Sequence, residues 1–230
     1  MIPKEIPPIG CDKCDGYGNI ITPNGVKDCD CKIQAGIVSN LIAAKIPPMY
    51  EQKDFSNFKS NTASRKRVLE TAKKYVAEYQ PQGNGLLFMG ETGTGKTHLA
   101  VAILIELIQK QYAGVFYNII TLLDELRASY NSQDESQQWE LIDRVRDTGI
   151  LVLDDLGAEK TSGWVNDRLY AIINYRYENK KTTIVTSNKD RAELKDQIGN
   201  RIISRLVEMC RVIPFEGKDY RIEMMKIEEK

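Results

Sequence analysis

The sequence predicts an α/β domain built on a parallel sheet with helices on both faces, preceded by a small cysteine-bearing segment. Three observations lead there. From residue 85 onward, short runs rich in Val, Ile and Leu alternate with longer stretches of helical period, the pattern of strands joined by crossover helices. Runs such as Leu86-Leu87-Phe88-Met89 and Ile150-Leu151-Val152-Leu153 are apolar without alternation, as strands buried on both sides require. Four of the five cysteines fall in the first 31 residues, which sets the N-terminus apart.

That N-terminal segment comes first. Cys11-x-x-Cys14 and Cys29-x-Cys31 are separated by fourteen residues, and Asn24-Gly25 between them is a hairpin signal. A hairpin bringing two close cysteine pairs together makes a tetrahedral thiolate site, which suits Zn²⁺. A segment of about 30 residues buries too little apolar surface to fold alone, so the metal would supply the missing stability. Residues 1–46 are accordingly assigned to a zinc-binding module and residues 47–230 to the main domain, which opens at Pro47-Pro48.

Val68, Ala72, Tyr75, Val76 and Tyr79 form a helical stripe over 64–80, stopped by Pro81 and Gly83. Strands are expected at 85–89, 113–118, 149–154, 182–187 and 209–214. Helices are expected at 97–111, 120–130, 137–147, 164–179, 191–197 and 199–207.

The bulk numbers narrow the function classes. At 230 residues, 42% hydrophobic and 28% charged, the chain has the make-up of a globular domain with a small appendage. Lys+Arg equals Asp+Glu at 32 each, so no global polycation draws it to nucleic acid, and any DNA contact comes from a local patch. No run approaches the roughly 18 apolar residues of a membrane span, and the N-terminus lacks the apolar core of a signal peptide. A cytoplasmic location is expected, with reduced thiols that serve as ligands or core residues.

The most specific motif is Gly90-Glu91-Thr92-Gly93-Thr94-Gly95-Lys96-Thr97, which reads G-x-x-x-x-G-K-T between an apolar strand and a helix. Glycines let successive N–H groups converge on one anion, and the helix start adds its positive dipole end. Lys96 can reach the β- and γ-phosphates and Thr97 can offer its hydroxyl to Mg²⁺. Asp154 and Asp155 end the strand at 149–154, at the sheet edge where ligands of open α/β sheets sit. Asp154 is expected to hold Mg²⁺ and Asp155 to orient or deprotonate the attacking water. Asn188 tips the next strand and can bond that water or the γ-phosphate. Arg201 and Arg205, at i and i+4, share a helix face, and an arginine aimed at a γ-phosphate stabilises the transferring group.

Taken in order, G-E-T-G-T-G-K-T-H, L-V-L-D-D-L-G, I-V-T-S-N, R-I-I-S-R-L and D-Y-R resemble the AAA+ ATPases of the bacterial helicase loaders, DnaC/DnaI type, with the IstB-type transposition helpers close by. The resemblance covers roughly residues 47–225. It implies a five-stranded parallel core with ATP bound between adjacent subunits of an oligomer. It also implies Walker roles for Lys96, Thr97, Asp154 and Asp155, a sensor role for Asn188, a finger role in a neighbour's site for Arg205, and a second sensor role for Arg221. Tyr50, Phe55 and Phe58 resemble the family's entry to the ATPase core, an adenine-side wall. His98, the only histidine, is read as supporting the nucleotide site rather than catalysing, and Cys210 as a core thiol. The partners implied are a hexameric replicative helicase and single-stranded DNA, with the cysteine module as the partner-binding part.

Two features depart from the family pattern. Asp155 stands where many relatives carry Glu, which would slow hydrolysis. Residues 119–147 carry Arg127, Arg144 and Arg146 against seven acids, a poor match for DNA phosphates. The helix at 59–80, with Lys59, Arg65, Lys66, Arg67, Lys73 and Lys74, is a better match, or is simply a solvated face. A loader is the expected function. An IstB-like transposition helper and a non-hydrolysing zinc-bearing adaptor are the alternatives. An initiator of the DnaA type would need a further DNA-binding domain beyond Arg221, for which the nine residues that follow leave no room.

Overall fold

A computed structural model describes residues 2, 10–131, 135–217, 219, 220 and 222; for residues 131 and 135–139 it describes the backbone alone. The N-terminal segment is an antiparallel hairpin, β1 (Asn19–Thr22) and β2 (Gly25–Asp28), followed by α1 (Asp30–Ala43). Thr22 pairs with Gly25, so Pro23 and Asn24 form the two-residue connection. The turn therefore falls one residue ahead of the Asn24-Gly25 signal. Pro23, with its locked φ, suits the leading turn position. Helix α1 was not expected from the sequence; none of its residues is buried.

The main domain opens with α2 (Ala63–Ala77), which starts where the Thr62 hydroxyl accepts from the Arg65 amide, a standard N-cap. Five strands follow: β3 (Gly85–Gly90), β4 (Gly114–Asn118), β5 (Ile150–Asp154), β6 (Thr182–Ser187) and β7 (Cys210–Phe215). They lie in the order β4-β5-β6-β3-β7 and every pairing is parallel. The connecting helices are α3 (Lys96–Gln109), α4 (Ile119–Asn131), α5 (Glu135–Asp147), α6 (Gly163–Glu178), α7 (Arg191–Ile198) and α8 (Asn200–Met209).

Strand alternation divides the core into two layers. Leu87, Leu151, Leu153 and Val185 face α4–α8. Leu86, Phe88, Val152 and Ile184 face α2 and α3. The second layer also takes in Ala44 and Ile46, so the packed core begins ahead of residue 47. Just there the Phe116 amide of edge strand β4 donates to the Ala44 carbonyl at 2.8 Å. Cys210 is the core thiol expected, and burial pushes its pKa up to about 12.

One buried group was not anticipated, although it shares a helical stripe with Val165, Leu169, Ile172 and Ile173. Arg176, near the end of α6, is fully enclosed. Its guanidinium donates to the carbonyls of Val145, Arg146, Thr148 and Thr182 and to the Thr183 hydroxyl. It thereby ties the end of α5 to the start of β6. Among the described residues no helix is long and apolar enough to cross a membrane.

Candidate functional site

Because β6 lies between β3 and β5, the carboxyl ends of all three strands converge on one spot. The loop after β3 curls around it. Gly90 and Gly95 have φ of 147° and 102°, and a Cβ would meet the Phe215 carbonyl at 2.1 Å in the first case and the Phe58 ring at 2.6 Å in the second. Only glycine tolerates both the dihedral and the crowding. Lys96, at the first position of α3, donates from Nζ to the carbonyls of Gly90 and Glu91, each at 2.7 Å. The Thr94 hydroxyl closes the turn onto the Glu91 carbonyl at 2.8 Å.

A hydrogen-bonded chain crosses from the loop to β5 and β6. The Thr97 hydroxyl donates to Asp154 Oδ1 at 2.8 Å, and the Thr186 hydroxyl donates to the same oxygen at 2.7 Å. Thr186 Oγ1 in turn accepts the Asp155 amide at 2.9 Å, and Asn188 Nδ2 donates to Asp155 Oδ1. Asp155 has φ of 62°, a left-handed conformation that costs a non-glycine residue energy and persists only where neighbours fix it. Here the Thr186 and Asn188 bonds do the fixing. Burial pushes the Asp154 carboxyl above the usual carboxylate range. The Asp155 charge adds to that, while the Thr186 and Thr97 hydroxyls and Lys96 pull the other way.

These groups line a cleft of about 530 Å³. It contains Thr92, Gly93, Thr94, Gly95, Lys96, Thr97, His98, Asp154, Asp155 and Asn188 of the sequence-derived set, and Tyr50 on the far wall. Gly90 and Glu91 contribute through the carbonyls that hold Lys96. Phe55 packs against the α2/α3 core layer instead, and Phe58 takes a place in the cleft. His98 donates from Nε2 to the Asp54 carbonyl at 2.8 Å and meets the Phe58 ring edge-on at 5.2 Å; burial lowers its pKa. It braces the wall.

Lys53, Lys59, Arg65, Asn118 and Tyr220 also line the cleft, and none was given a nucleotide role from the sequence. Lys59 and Arg65 had been counted with a basic helix face. Lys59 precedes α2, and Arg65 is 4% exposed, with Nη1 donating to Asn61 Oδ1 at 2.9 Å and the guanidinium 5.4 Å from the Tyr220 ring centre. A signal was there to read: Arg65, Val68, Leu69, Ala72 and Val76 form one stripe of helical spacing, so the arginine sits in the buried face. Tyr220 reaches the loop through its amide, which donates to the Gly93 carbonyl at 3.1 Å.

Arg201 and Arg205 lie on α8, and neither lines this cleft. Arg201 is exposed and Arg205 half-buried. Arg221 lies outside the described residues.

In the N-terminal segment the Sγ atoms of Cys11, Cys14, Cys29 and Cys31 all lie within 4.8 Å of one another. Cys11 and Cys29 are 3.8 Å apart and Cys14 and Cys31 3.5 Å. Tetrahedral Zn²⁺ with bonds of about 2.3 Å requires sulfurs about 3.8 Å apart, so the donor set fits. The Gly18 amide points at Cys14 Sγ at 3.3 Å. Burial opposes ionisation of Cys14, but the Gly18 amide and the neighbouring thiols outweigh it and lower its pKa to about 7. Cys31 is raised to about 12 by burial and by the same neighbours. Four thiols so close cannot all ionise unless a cation joins them.

A family model described as IstB-like ATP binding protein matches residues 33–227. A crystal structure of the DnaC helicase loader is 32% identical, with a TM-score of 0.68, covering 74% of this chain and 100% of that one. A crystal structure of DnaI is 28% identical, with a TM-score of 0.65, covering 76% of this chain and 94% of that one. The replicative helicase loader DnaC of Buchnera aphidicola subsp. Schizaphis graminum is 26% identical over 177 residues, which is 76% of this chain and 72% of the relative.

Proposed function

Because the chain belongs to the IstB-like ATP-binding protein family and has the α/β P-loop fold of AAA+ ATPases, we propose that it binds and slowly hydrolyses ATP at subunit interfaces to load a replicative helicase onto single-stranded DNA. The observation that carries the ATPase reading is the chain of bonds from Thr97 through Asp154 and Thr186 to Asp155 and Asn188. It places a hydroxyl and a carboxylate at one end, and a carboxylate–amide pair at the other, in one cleft beside the loop. The loop amides and Lys96 take the phosphates. Tyr50 and Phe58 take the base side. Thr97 and Asp154 are hard oxygen donors of the kind Mg²⁺ prefers, and Mg²⁺ held there would neutralise charge on the β- and γ-phosphate oxygens. Asp155 and Asn188 orient the attacking water, Asp155 as the base. Its arm is one methylene shorter than that of Glu, which supports slow turnover.

The loader reading is supported by likeness to the DnaC loader structure over that structure's whole length and by the thiolate cluster ahead of the core. On this reading residues 1–46 are a zinc module that engages the helicase, and residues 47–230 are the motor. Arg205, placed away from its own cleft, acts on ATP held by the next subunit, and Arg221 serves as a further phosphate sensor.

Retention of the host's replicative helicase on the immobilised protein, with and without ATP, tests this directly. ATP-dependent capture is expected, and Lys96→Ala should lose it together with ATP binding. Micromolar ATP affinity in Lys96→Ala would overturn the loop assignment. ATP binding with no turnover would point to a shape-setting adaptor. The family description keeps one other reading, a transposition helper; it would show duplex DNA binding and no helicase capture.

A further inference from the structure

We propose that Tyr170 and Tyr177 form a bracket that sets the orientation of the Arg205 guanidinium, making them positioning residues for hydrolysis in a neighbouring subunit. This rests on the reading of Arg205 as the trans-acting arginine.

The two tyrosines are seven residues apart on α6 and so share one helix face. The Arg205 guanidinium carbon, coming from α8, lies 4.9 Å from the Tyr170 ring centre and 5.7 Å from that of Tyr177, both within the roughly 6 Å reach of cation–π attraction. Tyr170 contributes twice, because its hydroxyl accepts from Arg205 Nη2 at 3.0 Å. Tyr177 is itself anchored by donating its hydroxyl to Glu208 Oε1 at 2.8 Å, one residue short of the end of α8. The bracket therefore spans both helices.

The contrast with Arg176, on the same α6, shows what such a bracket is for. Arg176 spends its fork on five acceptors and is sealed from solvent. Among the described residues Arg205 makes two hydrogen bonds, from Nη2 to Tyr170 and from Nη1 to the Arg201 carbonyl at 3.1 Å, while its Nε is buried without a partner there. A guanidinium has five N–H donors. The ring contacts themselves consume no donor, and the two hydrogen bonds take one N–H from each Nη, which leaves the second N–H of each Nη for an anion. An arginine held by two rings with those donors to spare suits a phosphate delivered by another molecule.

Mixed oligomers separate the two readings. Arg205→Ala subunits keep an intact cleft, and Lys96→Ala subunits keep an intact arginine. Adding the second to the first, with ATP and oligothymidylate, should restore hydrolysis. Failure there overturns the trans-arginine reading and the bracket with it. Next, donors carrying Lys96→Ala together with Tyr170→Leu should restore about tenfold less kcat, with KM for ATP unchanged and self-association by sedimentation unchanged. Donors with Tyr170→Phe, which keep the ring and lose the hydroxyl, should restore about threefold less. If Tyr170→Leu does not fold, Tyr170→Phe and Tyr177→Leu carry the test. Restoration by those donors equal to that by Lys96→Ala alone overturns the bracket and leaves the arginine assignment standing.

Discussion

The cysteine segment and the sheet domain are held together by opposite means. Between residues 10 and 43 the only buried residues are Cys14, Gly18 and Cys29. Strand β2 is exposed along its whole length, and α1 has no fully buried residue, with only Ile37 and Leu41 resting partly buried on the neighbouring core. In the sheet domain, six consecutive α3 residues from Leu99 to Leu104 are 0–1% exposed, and every residue of β5 and β6 is buried. One region lacks the apolar surface to fold by burial and gathers four thiolate donors instead. The other has apolar surface in excess and can spend polar groups on a cleft. Ligand chemistry should therefore govern the first and side-chain packing the second.

The largest expected effect is on the cysteine segment. Structural zinc is worth about 10–16 kcal/mol in small modules. Stripping metal with a chelator, or Cys14→Ser, should take the zinc content from about one per chain to near zero and abolish hydrogen-exchange protection across β1 and β2. The Tm of the sheet domain and its ATP affinity should hold. A parallel fall in that Tm would show that the two regions are one cooperative unit.

Next is Arg176→Met, which leaves four carbonyls, two of them buried, without their donor. It should cost about 3–5 kcal/mol, roughly 10 °C in Tm for a chain of this size, with zinc content unchanged. A loss below about 1 kcal/mol would mean that apolar packing alone secures α5 to β6.

The smallest effect runs in the opposite direction. The folded state holds the Asp154 proton more tightly than the unfolded chain does, because burial raises its pKa. That contribution is full below the ordinary carboxylate range and is lost as pH rises through the raised value, so at neutral pH the ionised group is a net cost. Asp154→Asn should therefore raise the Tm of the nucleotide-free protein by about 2–4 °C at pH 7 while hydrolysis disappears. The gain should shrink as pH falls. No gain at pH 7 would show that the two threonine hydroxyls already offset the burial.

Much of this was legible in the residues. The strands at 85–89 and 150–154 announce themselves because a strand covered on both faces is apolar through its length. Asp154 and Asp155 close such a run, Lys96 and Thr97 stand out by the glycine-loop motif, and Asn188 follows the strand at 182–187. What was missed came from packing between distant segments. Arg65 and Tyr220 reach the cleft from opposite ends of the domain sequence, and of the two only Arg65 carried a local hint, a charge inside an apolar stripe. Helix α1 went unread because its core contact is slight, Ile37 and Leu41 resting half-buried on the α2/α3 layer, and its N-cap is a cysteine, not a serine or aspartate. Arg176 sits in the stripe of Val165, Leu169, Ile172 and Ile173, but what it binds could not be read, because its five acceptors are four backbone carbonyls and a threonine.

The bond from Phe116 to Ala44 bears on how the sheet domain would be handled by itself. Strand β4 is the outer rail of the sheet, and an uncapped rail invites a second molecule to zip alongside. A fragment begun at the Pro47-Pro48 punctuation would drop Ala44, which shields it, and with it Ile46 from the interior. Such a fragment should clump on expression, whereas one begun near residue 30 should stay dispersed.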